Sequence, residues 1–290
     1  MNTKHLMLKD VITIATITAI SAGMTQALAD EPCPPDGDFG ECKVLIEINS
    51  TDGDIGFHFL GDGDDLITMR IDDPNGVKVF ENRASGPLAD QKHTENFGES
   101  AEPLCWPDPD ADEEDVEDMV SLREFSEVWD AGTYTFTGKG EGGEKSEGET
   151  ELTYDLPAAP KDVDFNGATV TWTVGNDLGH CAPLADEGFG VETISQVLDI
   201  ITDPAIVPVA AYEVVMEPDV DDGDPIGDEV FSVRVSGVTT SVDVPALYLA
   251  SLPPDTPVKV EVGAIGVDDN ATFTEEDGFC INEDEGCEDD

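Results

Sequence analysis

The residues best placed to do chemistry are aspartates that recur at every second position in one loop and nearly so in another. Asp108, Asp110 and Asp112 lie in a polar, acidic stretch, and Asp219, Asp221 and Asp224 surround Gly223. Oxygen ligands alternating along a tight loop can converge on one Ca2+ at about 2.3–2.6 Å, so calcium in a structural role is the cofactor these loops could hold. Asp52 with Asp54, and Asp62 with Asp64, repeat the spacing with fewer ligands. None completes the EF-hand pattern, which needs a glycine after the third ligand and a bidentate glutamate at the twelfth place. With 66 acidic residues in 290, such spacings also arise by chance, and the plain alternative at both loops is a solvated acidic turn.

The same abundance removes carboxylate pairs as evidence for acid–base catalysis. The sequence contains no G-x-S-x-G, no H-E-x-x-H and no glycine-rich phosphate loop. His58 alternates into a strand face and His93 sits in a polar loop, positions where an imidazole is ordinarily structural or solvated. His180 beside Cys181 is a lone imidazole with no C-x-x-C to build a zinc site. The sequence therefore nominates no catalytic residue and no organic cofactor.

The elements that must position these loops are short strands. KVLIEIN (43–49), IGFHFL (55–60), DLITMRI (65–71) and Val77 to Phe80 alternate or run apolar, separated by the turn-formers TDGD, GDGD and DDPNG. Leu122, Phe125, Val128 and Trp129 fall on one face of a short helix that Gly132 ends. TYTFT (133–137) and ETELTY (149–154) then form a hairpin, and DLPAAP (155–160) reads as a linker. Beyond it, ATVTWTV (168–174), YEVVM (212–216), VFSVRV (230–235), Ser241 to Tyr248 and Val258 to Ile265 read as strands. A long connection from Gly175 to about Val209 carries an apolar, helix-compatible piece, VETISQVLDII (191–201). The pattern predicts an all-β chain of two tandem β-sandwich domains, 42–155 and 162–290, joined by 156–161. The first holds one short helix, the second a long insertion and an acidic tail.

Lys4 and Lys9 precede an apolar run from Val11 to about Gly23, and Ala27-Leu28-Ala29 offers a small-x-small cleavage site, so 1–29 reads as a secretory signal peptide. Pro32 before Cys33 disfavours a lipoprotein. The run is too short to stay as a membrane span, and no later stretch is long and apolar enough. Six cysteines in an exported chain favour disulfides; of 15 possible pairings, proximity suggests Cys33–Cys42, which clips the lead-in 30–41, and Cys280–Cys287, leaving Cys105 to reach Cys181. A net charge of −53 repels nucleic acid and anionic membranes, and needs screening by a salty medium or by bound cations.

From about residue 157 to 280 the chain resembles a fibronectin type III domain. Leu252, Pro254, Thr256 and Val258 match that family's L-x-P-x-T-x-Y corner, Trp172 its early-strand core tryptophan, and Tyr212 the tyrosine opening its third strand. Val258 replaces the corner tyrosine, so packing or Pro253, Pro254 and Pro257 must stand in for its hydroxyl bond. The first block, with DGDIGFH, MRIDDPNG and the DAGTYTFTG to LPAAP ending, is similar to uncharacterised exported bacterial proteins in which such a β-domain precedes a fibronectin-like one. The resemblance brings no activity with it. The sequence thus reads as a non-catalytic exported surface, adhesion or scaffold module in a salty habitat. Its partner would be an extracellular protein or glycan, and the chain itself a monomer or weak oligomer. Two other readings are a calcium-responsive binding protein and an enzyme whose site lies in the first domain or the insertion.

Overall fold

The structure is a computed structural model that describes residues 33–34, 39–106, 118–184, 192–220, 224–282 and 287. Its strands are β1 (Phe39–Asn49), β2 (Asp54–Leu66), β3 (Thr68–Asp72), β4 (Lys78–Arg83), β5 (His93–Glu99), β6 (Gly132–Lys139) and β7 (Lys145–Leu152), followed by β8 (Lys161–Phe165), β9 (Thr169–Thr173), β10 (Val209–Pro218), β11 (Phe231–Ser236), β12 (Ser241–Asp243), β13 (Thr256–Gly266) and β14 (Ala271–Ile281). Among the described residues they form a seven-stranded sheet in the order β11-β10-β13-β14-β1-β2-β5, a four-stranded sheet β4-β3-β6-β7 and a three-stranded sheet β12-β9-β8. This is an all-β sandwich architecture. Among the described residues every strand pairing is antiparallel except β14 with β1, which run parallel with Glu47, Ile48 and Asn49 opposite Ala271, Thr272 and Phe273.

Two hydrophobic cores lie against this long sheet. Val44, Ile46, Ile48, Ile55, Phe57 and Phe59 point from β1 and β2 onto Met69, Ile71, Tyr134, Phe136 and Leu152 of the four-stranded sheet. Tyr212, Val214, Met216, Val258, Val260 and Val262 point from β10 and β13 onto Val163, Phe165, Val170 and Trp172 of the three-stranded sheet. The alternation read from KVLIEIN is this inward and outward division. The segment 156–160 is buried rather than an exposed tether, with Leu156 inside the first core.

Buried polar bonds weld the parallel seam. The Asn270 side chain, 1 % exposed, accepts from the Ile46 amide at 2.8 Å and donates to the Thr153 and Asp155 carbonyls at 3.1 and 3.3 Å. Thr274 donates to the Pro160 carbonyl and bonds Ser50, while Thr51 bonds the Glu275 backbone in both directions. Residues from both halves of the chain thereby share one hydrogen-bond network.

The connection after β9 turns back onto the first core rather than staying with the second. Leu178, Cys181, Ile194, Val197 and Ile201 pack there. His180 stacks on Trp106 at 4.0 Å, and Arg123 bonds the Glu192 and Asp199 carboxylates. The cysteines are paired Cys33–Cys42, Cys105–Cys181 and Cys280–Cys287. Cys105–Cys181 pins this connection.

Three local readings need correction. GDGD at 61–64 is not a turn: β2 runs straight through it, because Gly61 and Gly63 are places of close approach. A Cβ on Gly61 would meet Met69 Sδ at 2.5 Å, and one on Gly63 would meet the Phe39 ring at 2.9 Å. Ser241 to Tyr248 is strand only over β12; Pro245 then starts a helical turn, Ala246–Leu249, which aims the Tyr248 hydroxyl at the Met216 and Glu229 carbonyls. Among the described residues of the helix-compatible piece, 192–201, only Ile194–Val197 is helical. The helix Leu122–Val128 is short but well capped, since Ser121 and Glu124 make a capping box and Leu122 and Phe125 fill the core.

Two variants test the disulfide and the seam. Replacing Cys105 and Cys181 by alanine together removes a link of sequence separation 76, and should lower the unfolding free energy by about 2–4 kcal/mol in denaturant titration. Asn270→Ala leaves the Ile46 amide without an acceptor and should cost about 2–3 kcal/mol by the same measurement.

Candidate metal centre

The outward face of the seven-stranded sheet is where ionisable side chains gather. Asp54, Gly56 and His58 occupy alternate positions on β2, and Glu47 of β1 sits directly opposite Gly56. Past β5 the chain stays beside β2: Ser100 donates its amide to the Phe57 carbonyl at 2.8 Å, and the Ile55 amide donates to the Pro103 carbonyl at 3.2 Å. That path lays Glu102 over Gly56. Glu102 Oε1 lies 3.2 Å from His58 Nε2, and a Cβ on Gly56 would meet both groups within 2.9 Å, so only glycine leaves room for them. Ligand atoms of Glu47, His58 and Glu102 all fall within 4.8 Å of one another.

His58 is 1 % exposed although it points away from the core, because the Phe97 ring, Glu99 and Glu102 cover it. Among the described residues its Nδ1 has no hydrogen-bond partner; the carboxylate oxygen Glu99 Oε2, on the paired position of β5, is 3.9 Å away. Burial opposes charge on His58, but the Glu102 hydrogen bond and the fields of Glu47, Glu102 and Glu99 outweigh it and raise its pKa. Burial pushes Glu47 up to about 7; Glu102, Glu213 and Glu99 add to the rise, and His58 opposes it. Asp54 is pushed up to about 7, again by burial first, with Glu102 and Asp52 adding to it.

A second carboxylate group lies further along the same face, on β10, β13 and β14. Burial lifts Glu261 to about 8, with Glu275 reinforcing it. Here a strong cation is built in: Lys259 bonds Glu275 at 2.9 Å and Glu217 at 3.3 Å. At the Glu47 group, Lys43 shares the face of β1 but is ion-paired with Glu41 and Asp269. The groups that act on Glu47 include three carboxylates and a single cation, the titratable His58.

Of the aspartates singled out for calcium, Asp108, Asp110, Asp112 and Asp221 lie outside the described residues. Asp219 donates its amide to the Pro257 carbonyl, and the Asp224 carboxylate accepts from the Ile226 amide, closing its own turn. Asp52 is exposed next to the Glu47 group, its carboxylate bonded to Asn49 Nδ2. His93 is buried and neither of its ring nitrogens is hydrogen-bonded, and burial lowers its pKa. Sequence reasoning placed His58 on a strand face but missed its partners. The TDGD hairpin register would have put Glu47 and His58 on one face; Glu102 was beyond reach, since its place depends on β5.

No protein-family model matches the chain, and no curated protein matches it in sequence. Among solved structures it is similar to a tetra-tandem repeat from the extending region of a large adhesion protein, at 12% identity and TM-score 0.25 over 83% of this chain and 50% of that one. It is similar also to the BSP domain of a biofilm-associated protein, at 11% identity and TM-score 0.21, covering 87% of this chain and 30% of that one. A 1.5-MDa bacterial ice-binding adhesin gives 13% identity and TM-score 0.22, covering 83% of this chain and 64% of that one. The chain thus spans less than two thirds of each of these. At such scores the likenesses carry no argument about function.

The raised carboxyls set a pH response in metal-free protein. A carboxyl whose folded pKa exceeds its unfolded value binds a proton that the unfolded chain has released, so stability falls as pH climbs from the unfolded to the folded value. For Glu47 that window runs from 4.5 to about 7. His58, also raised, is stabilising below its unfolded 6.5 and loses that contribution as pH passes its folded value. Both act in the same direction. At 1.36 kcal/mol per pKa unit the Glu47 shift is worth at most about 3 kcal/mol, and partial exposure reduces this to about 1–2. Glu47→Gln should therefore stabilise the metal-free protein by about 1–2 kcal/mol at pH 8, with little effect at pH 4, in denaturant titrations at the two pH values.

Proposed function

We propose that the chain is a non-catalytic exported β-sandwich protein, a surface, adhesion or scaffold module for a salty medium that engages an extracellular protein or glycan. One observation carries the reading: a single seven-stranded sheet passes through both cores, and the connection after β9 is pinned back on the first core by Cys105–Cys181. Buried polar groups are spent on joining the halves, as suits a part that must hold its shape under load.

The second core supports a fibronectin-like assignment. Trp172 packs edge-on against Tyr212 at 5.2 Å, Leu252 and Val258 are buried, and the Thr256 hydroxyl bonds the Pro253 carbonyl at 2.8 Å where the corner tyrosine is missing. Three disulfides suit an oxidising compartment outside the cytosol. Among the described residues no helix is long and apolar enough to cross a membrane. A shallow depression of about 290 Å3 on the outer face of the four-stranded sheet is lined by Arg70, Glu81, Lys139, Lys145 and Glu147. Such an open charged surface suits a polar partner better than an enclosed substrate.

The test is a binding and turnover screen of the exported protein in about 1 M NaCl against immobilised polysaccharides and surface proteins, with hydrolase substrates in parallel. Saturable binding without turnover is expected, together with an unfolding midpoint that rises by several degrees between low salt and about 1 M NaCl as carboxylate repulsion is screened. Turnover abolished by substituting one residue would contradict the reading.

A further inference from the structure

We propose that Glu47, His58 and Glu102 bind one divalent transition-metal ion of the Zn2+ and Co2+ class, through one imidazole nitrogen and two carboxylate oxygens, with water completing the shell. The proposal is independent of what the protein binds at its surface. Three of its supports are geometric. The ligand atoms already lie within 4.8 Å of one another; around such an ion, at bond lengths of about 2.0–2.2 Å, they would close to roughly 3–3.5 Å, within reach of side-chain rotation. The three residues come from β1, β2 and the segment that follows β5, so they converge from separate stretches of chain. Gly56 is the floor, and any larger residue there would occupy the space of the ligands.

The chemistry of the donors chooses the ion. An imidazole nitrogen suits zinc, cobalt, nickel or copper, whereas Ca2+ and Mg2+ prefer all-oxygen sets. The Nδ1 atom of His58 is buried and unpartnered, and Glu99 faces it in register at 3.9 Å. Metal-bound histidines commonly donate their other ring N–H to a carboxylate, and rotation of the half-exposed Glu99 side chain would supply that bond. The contrast along the sheet points the same way. The carboxylates of β10, β13 and β14 have Lys259 as a resident cation. In the cluster of Glu47 and Glu102 the basic group among the described residues is the His58 imidazole, where a divalent ion would bring a larger positive charge.

The test uses the exported protein stripped with chelator and titrated with Co2+, whose visible ligand-field bands report inner-shell binding above any loose association with the acidic surface. We expect bands that saturate at one equivalent, that Zn2+ abolishes, and that Ca2+ or Mg2+ in large excess leaves in place. Glu47→Gln and Glu102→Gln keep the side-chain shape and remove a charge from a crowded site, so each should fold with equal or higher metal-free stability and lose the bands. Glu99→Gln should keep them with affinity lowered about tenfold. The site is refuted if no saturating band appears, if the bands persist unchanged in both glutamine variants, or if Ca2+ displaces Co2+ at equal concentration. In those cases His58 is only an imidazolium held among carboxylates.

Discussion

The fold depends on the parallel pairing of β1 with β14. An antiparallel sheet can grow from hairpins, but this junction joins residues more than 220 positions apart, Glu47 to Asn49 with Ala271 to Phe273. Without it, β1-β2-β5 and β11-β10-β13-β14 would be two sheets with exposed edges, each an invitation to pair with another chain. Asn270 makes the junction specific. By accepting from Ile46 and donating to Thr153 and Asp155, it satisfies backbone groups of β1 and of the segment after β7 at the place where regular ladder bonding begins. A buried amide with these partners is costly to misplace, so it fixes the register as well as the contact.

Fusing the sheets has an electrostatic consequence. In a chain of net charge −53, a continuous outward face inevitably collects carboxylates. On one half the protein neutralises them with Lys259; on the other it leaves Glu47 and Glu102 around a buried histidine. Glu213 of β10 also raises Glu47 from across the seam. The raised carboxyls owe most to burial, with the crowding of neighbouring carboxylates adding to it.

What could be read from the sequence was the local part. Alternation in KVLIEIN and the Pro74-Asn75-Gly76 corner located strands, and the period of Leu122 and Phe125 located a helix, because side-chain direction repeats within a few residues. The glycines of GDGD misled because their role is to let Met69 and Phe39 approach β2, a demand set by residues distant in sequence. ALYL misled because an apolar stretch after a proline can turn as readily as extend. Glu47 and His58 were legible as outward-facing residues, but their meeting with Glu102 depended on how the chain leaves β5. The β1–β14 seam left no mark in composition or spacing.

The central claim is that one sheet makes the two cores a single cooperative body. Scanning calorimetry of the protein with its disulfides intact tests it most directly. The account predicts one endotherm whose calorimetric enthalpy equals its van't Hoff enthalpy, and a single lowered transition for Asn270→Ala. Two resolved transitions in the unmodified protein, each with its own van't Hoff enthalpy, would contradict it.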